Sequence, residues 1–138
     1  MIREWSFGII PLRIVEKEWE VLLILPLTGS NWGFPKGKSV TGETAQVSAE
    51  RELFEETGLQ VERLLKEHPY IESYRFKRKN QWVEKTVAYF PAIVSGDLKL
   101  QKEEIKEAKW VKAKEASSLI TFKEAREIFR QVLEYILI

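Results

Sequence analysis

The chain has no cysteine, a single histidine and five prolines in 138 residues. Without thiols there is no disulfide framework, no thiolate zinc site and no cysteine nucleophile, which suits a reducing compartment. No apolar run approaches the ~20 residues of a membrane-spanning helix, and Arg3 and Glu4 interrupt "MIREWSFGII" where a leader would need an unbroken apolar stretch. Net charge is scarce as well. With 22 Lys and Arg against 21 Asp and Glu, no global field draws the chain to nucleic acid or membrane. The lone histidine, His68, precedes a proline in "KEHPY" and reads as a turn residue rather than a catalyst. Internal repeats and Gly/Ser/Pro linkers are missing too, so residues 1–138 are expected to form one domain, cytoplasmic and monomeric.

What is present changes period along the chain. "SFGIIPLRIV" and "WEVLLIL" read as strands around the turn "EKE", with Pro11 suggesting an edge or a bulge. "TGSNWGFPKGK" has loop composition. A helix is expected from just after Thr44 to Gly58, a fitting residue for a helix exit. "LQVERLLKE", "YIESYRFK", "VEKTVAYFPAIV" and "AKWVKA" predict further strands, with the basic "KRKNQ" connecting two of them. In "TFKEAREIFRQVLEYIL", Phe122, Ala125, Ile128, Phe129, Val132 and Ile136 share a helical face that should pack on the sheet. Strands mixed with helices of this length predict a layered α/β or α+β domain. Trp5 and Trp110 are expected in strands and core.

The middle helix concentrates negative charge: Glu43, Glu50, Glu52, Glu55 and Glu56 fall within one short segment. At about 100° per residue, Glu52, Glu55 and Glu56 face one side within an arc of roughly 100°. Ala45, Ala49 and Leu53 form the adjoining stripe, and Arg51 lies four residues before Glu55. A glutamate-rich helix is most often a solvated face. Clustered carboxylates cost stability unless a cation joins them, and hard oxygen ligands on a rigid backbone suit Mg²⁺ or Mn²⁺.

The spacing Gly37, five residues, Glu43, seven residues, Arg51-Glu52-Leu53, one residue, Glu55-Glu56, one residue, Gly58-Leu59 resembles the Nudix box at every specified position. Chance agreement is of order ~10⁻⁹ for average residue usage. The resemblance implies a mixed sheet between helices (α/β/α) with a loop-helix-loop box, and hydrolysis of a nucleoside diphosphate linked to another moiety. It also implies that Glu52, Glu55 and Glu56 ligate Mg²⁺ or Mn²⁺, with Glu55 catalytic, and that Arg51 orients the carboxylates. Glu43, Gly37 and Gly58 would be structural, Glu43 bracing the loop. Glu104 in "KEEIKEAKWV" resembles the downstream acid that approaches the metals in this family, as ligand or general base; Glu103 and Glu107 compete for the role.

Outside the box, "SFGIIPLR", "WGFPKG", "EKTVAYF" and "TFKEAREIF" resemble the asymmetric diadenosine tetraphosphate hydrolases. That likeness implies Mg²⁺-dependent cleavage of a dinucleoside polyphosphate to ATP and AMP, with Tyr74 stacking a base and Lys85 binding phosphate. Lys36 is the further phosphate candidate, and Trp82, beside the basic turn, a candidate ligand contact. Arg75, Lys77, Arg78 and Lys79 read as a solvated hairpin tip or as a guide for an RNA 5′ end. Pyrophosphate removal from RNA is accordingly the alternative activity, and a catalytically silent nucleotide sensor the alternative of another class.

Overall fold

In the computed structural model, which describes residues 1–137, the first two apolar runs form β1 (Ile2–Val15) and β2 (Glu18–Pro26). They are antiparallel and joined by Glu16 and Lys17, both at positive φ, the turn geometry that matches strand twist. β3 (Lys36–Gly37) follows within the segment expected to be loop, paired with Phe7 and Gly8 of β1. After α1 (Ala45–Thr57) come β4 (Gln60–Leu64), β5 (Tyr70–Arg78), β6 (Gln81–Ser95) and β7 (Ile105–Lys112). A 3₁₀ turn at Ala113–Ser118 leads into α2 (Lys123–Ile136). The sheet order is β4-β6-β1-β2-β7; β5 extends along the β6 edge beyond β4, and β1 and β6 are parallel.

Strand alternation divides the apolar side chains between two faces. Ile10, Leu12, Val21, Leu23, Val87 and Tyr89 meet Ala125, Ile128, Phe129 and Val132 of α2. Ile9, Leu22, Ile24, Phe90, Ala92 and Val94 meet Ala49 and Leu53 of α1. The result is the expected mixed sheet between helices.

Three expectations need correction. Pro11 is on neither an edge nor a bulge, because β1 is central and pairs continuously with β6 through Pro11. Ile9 donates to the Pro35 carbonyl (3.3 Å), so two residues on the proline nitrogen faces the same side, between the β3 pairing and the β2 pairing that starts at Leu12. The missing N–H falls where the partner changes. Trp5 lies on β1, stacked on Phe7, but is 50 % exposed. Phe122 caps α2 instead of packing beneath it, and is 54 % exposed.

Gly8 allows the β3 strand to approach: a Cβ there would sit 2.4 Å from the Pro35 carbonyl oxygen and 2.9 Å from Lys36 Cβ. Backbone cannot yield cheaply, so Gly8→Ala is expected to cost about 1–3 kcal/mol in urea unfolding. An unchanged midpoint would show that β3 is free to move.

Candidate active site

α1 begins at Thr44, whose hydroxyl accepts from the Val47 N–H (3.2 Å), and ends at Gly58. Gly58 has φ 79° and donates to the Phe54 carbonyl at 2.9 Å, a conformation that favours glycine. Ala49 and Leu53 are buried against the sheet, which fixes the rotation of the helix and brings Glu52 over Gly37 of β3.

Arg51 uses its whole donor set. Nε binds Glu43 (2.7 Å), Nη1 binds Glu52 (2.9 Å) and Glu55 (3.0 Å), and Nη2 binds the Lys38 carbonyl (2.8 Å) and Glu43 (3.1 Å). Glu43 also accepts from the Val40 N–H and the Ser48 hydroxyl, both at 2.9 Å. Its bond to Arg51, followed by that to Val40, holds its carboxyl at about 2, so it stays ionised as the brace of the loop. The Glu52 carboxyl lies directly over Gly37: a Cβ at Gly37 would be 2.0 Å from its carboxyl carbon.

Glu56 is only 5 % exposed. Burial, then the charge of Glu52 and a hydrogen bond with it, and then the charge of Glu104, push its carboxyl up to about 9. The Gln101 N–H donates to the Glu56 carbonyl (3.1 Å), and Leu27 donates to the Glu104 carbonyl (2.7 Å). Those bonds bring the segment that carries Glu104 against the end of α1. Among the described residues no three carboxylates are drawn together tightly enough to enclose an ion, and Glu52 and Glu55 are both bound to Arg51. The donors nevertheless fit Mg²⁺ or Mn²⁺: all are carboxylate oxygens, and the Glu56 carboxyl is buried among like charges that a cation would relieve.

Glu56 and Glu104 open into a cleft of about 710 Å³ on the α2 face, with Lys36 in its wall. Burial pulls the Lys36 ammonium down, opposed by Glu72 and Glu56. Further along are Trp32, Tyr74, Phe76 and Phe122, with the carboxylates of Glu72 and Glu124. Trp32 is fixed to the start of α2 by reciprocal bonds, its N–H to the Thr121 hydroxyl (2.8 Å) and the Thr121 N–H to its carbonyl (3.1 Å). Tyr74 therefore shares one cleft with Lys36, Glu56 and Glu104.

Two candidate contacts fall outside the cleft wall. Lys85 is directly opposite Tyr74 in the β5–β6 register, but its ammonium is turned toward Glu4 (3.9 Å), which also binds Arg78 (2.7 Å). Trp82 pairs with Lys77, and alternation from Lys85 turns it to the opposite sheet face, 52 % exposed under the Lys77 ammonium. The basic connection is itself strand on both sides, its turn reduced to Lys79 and Asn80 at positive φ. Sequence reasoning missed Glu72, Glu124, Trp32 and Phe122. One signal was readable: Tyr70, Glu72, Tyr74 and Phe76 recur every second residue, so Glu72 is a carboxylate within an aromatic stripe.

A family model described as NUDIX domain matches residues 3–133. The chain belongs to the NUDIX family. Nudix hydrolases generally use a divalent metal such as Mg²⁺. Over 101 residues, 70 % of this chain, it is 39 % identical to the mRNA-decapping enzyme subunit 2 of Arabidopsis thaliana. A second relative, a putative mutator protein MutT4 of Mycobacterium tuberculosis, is 34 % identical over 98 residues. The matched part spans 26 % and 39 % of those relatives' lengths. An Ap4A hydrolase from C. elegans superimposes with TM-score 0.75 at 20 % identity, covering 97 % of this chain and 98 % of that one. A MutT protein of Bacillus halodurans gives TM-score 0.71 at 27 % identity over 94 % of this chain and 82 % of that one. No helix among the described residues is long and apolar enough to cross a membrane.

Proposed function

We propose that this Nudix domain hydrolyses the phosphoanhydride bridge of a dinucleoside polyphosphate; diadenosine tetraphosphate, cut to ATP and AMP, is the member that the flanking segments suggest. The observation that carries this reading is the continuity of one cleft from Glu56 and Glu104, past Lys36, to Tyr74, Phe76, Trp32 and Phe122. Its volume lies in the usual range of ligand sites, enough for one nucleoside and its phosphates, with the rest of the molecule extending outward. Stacking on an aromatic ring contributes about 1–3 kcal/mol per base.

In this reading Glu52, Glu55, Glu56 and Glu104 would hold Mg²⁺ or Mn²⁺, which would supply neutralisation of phosphate charge and a water of lowered pKa. Arg51 keeps Glu52 and Glu55 in register and Glu43 keeps Arg51 in place. Glu104 takes the proton released by the attacking water, Lys36 binds a phosphate oxygen, and Tyr74 stacks a base. Lys85 reaches the phosphate chain only by leaving Glu4.

Incubation of diadenosine tetraphosphate with the protein and Mg²⁺, resolved by chromatography, is expected to yield ATP and AMP. Two ADP, or no Mg²⁺-dependent product, would refute the assignment. The likeness to a decapping subunit supports a second reading, action at an RNA 5′ end. Much faster turnover of triphosphorylated RNA than of diadenosine tetraphosphate would select it.

A further inference from the structure

On the α1 side of the sheet, Phe7 of β1 packs against the core beneath the helix, and toward the start of β1 the strands β1, β6 and β5 continue as a bare face. Strand register sets its side chains in rungs. Trp5 is level with Thr86 and Ser73, Arg3 with Glu84 and Arg75, and Trp82 with Lys77. Contacts join them on one surface: Trp5 stacks on Phe7, and the Ser73 and Thr86 hydroxyls are 3.0 Å apart. Glu84 lies 3.5 Å from Arg3 Nε and 3.2 Å from Arg75 Nη2, and the Lys77 ammonium is 5.2 Å from the Trp82 ring. Both tryptophans are half-exposed, as is Ile71 beyond Ser73. Large apolar side chains exposed together and rimmed by charge mark an interaction surface.

Two residues of strand advance about 6.6 Å, so the arginine rung lies midway between the Trp82 and Trp5 rungs, which are about 13 Å apart along the strands. Arg3, Arg75 and Lys77 against Glu84 make the face positive on a chain whose net charge is only +1. Glu84 does not exhaust their donors. It takes Nε and Nη2 of Arg75 and approaches Nε of Arg3, so Nη1 of Arg75 and both Nη groups of Arg3 have no acceptor among the described residues. An indole, a row of cations and a second indole in line suit a single-stranded polynucleotide, with bases on the rings and the intervening phosphates over the arginines. A protein partner covering both tryptophans would have to desolvate the arginine row. A second copy laid symmetrically across that row would set arginine against arginine. The Ser73–Thr86 hydroxyl pair beside Trp5 can donate to and accept from a ribose 2′-hydroxyl, which favours RNA over DNA. We infer that this face binds single-stranded RNA, with Trp5 and Trp82 each stacking a base and Arg3, Arg75 and Lys77 holding the phosphates between them. It lies on the opposite side of the sheet from the cleft, and its use does not depend on what is hydrolysed there.

Fluorescence anisotropy of a 3′-labelled oligouridylate with a 5′-hydroxyl end, titrated with the full chain in EDTA, tests the inference apart from any metal-dependent chemistry. Three phosphate contacts are expected to give a slope of about −2 for log affinity against log salt. Trp5→Ala and Trp82→Ala should each weaken binding at least about fivefold, the lower bound for one stacked base. Arg75→Gln should bring the slope to about −1.4, and this exposed position keeps the test open if a tryptophan variant does not fold. Tyr74→Ala, in the cleft, should leave binding unchanged, and the matching oligodeoxyuridylate should bind more weakly. No binding at millimolar protein, equal or tighter binding of the DNA, or displacement by polyglutamate as readily as by unlabelled RNA would overturn the inference. So would affinity and salt slope that are unchanged in the folded variants of this face, or a loss confined to Tyr74→Ala.

Discussion

Glu56→Gln is expected to abolish turnover and, in EDTA at alkaline pH, to raise the melting temperature of the protein. The two effects have one cause. The Glu56 carboxyl is buried beside Glu52 and Glu104, and its pKa stands at about 9 against an ordinary 4.5. Below pH 4.5 it is protonated whether the chain is folded or not, and its contribution to stability is fully present. As pH rises toward 9 the unfolded chain has already released this proton while the folded chain still binds it, so stability falls over that window and the contribution is lost above it. Glutamine keeps the shape and never ionises. The variant should match the wild type near pH 4.5 and exceed it increasingly toward pH 9. One unit of pKa displacement corresponds to about 1.4 kcal/mol, or about 4 °C for a chain of this length. Mg²⁺ should narrow the gap by stabilising the wild type alone. Losing a ligand that supports metal stabilisation worth ~4 kcal/mol lowers kcat about a thousandfold. A variant with turnover close to that of the wild type, or less stable than the wild type at pH 9 in EDTA, would refute the account.

The carboxylate helix was legible because each of its determinants is local. Thr44 caps it, Gly58 ends it in a left-handed conformation, and Ala49 and Leu53 set which side meets the sheet. The Arg51–Glu55 contact follows from a spacing of four. The base end of the cleft was not legible, because its parts come from Trp32, β5 and the start of α2, joined only when α2 docks and Trp32 bonds to Thr121. Helical periodicity put Phe122 on the buried stripe; at the N-cap the backbone is extended, so the ring escapes that stripe. Trp82 and Lys85 show the other limit. Both lie close in sequence to a hairpin turn, but strand alternation separates their faces and Glu4 claims Lys85.

Gly37→Ala is expected to reduce turnover through a side chain on another element. Gly37 sits in β3 against Phe7, and the added methyl would meet the Glu52 carboxyl at 2.0 to 2.5 Å. The obstacle is the far end of a side chain, so the fold can yield: Glu52 swings away and β3 stays paired with β1. What is lost is the position of the Glu52 carboxylate relative to Arg51 and Glu56. A displacement of about 1 Å at a reacting centre costs on the order of a hundredfold in rate. The expected result is therefore a roughly hundredfold fall in kcat/KM with a melting temperature close to wild type, the reverse of Gly8→Ala, where backbone blocks the methyl. Shortening Glu52 to Asp in the Gly37→Ala background relieves the overlap and should restore part of the rate. Without any recovery in the double variant, the loss at Gly37 would have to come from the backbone of β3, and Glu52 would not be the group that the glycine accommodates.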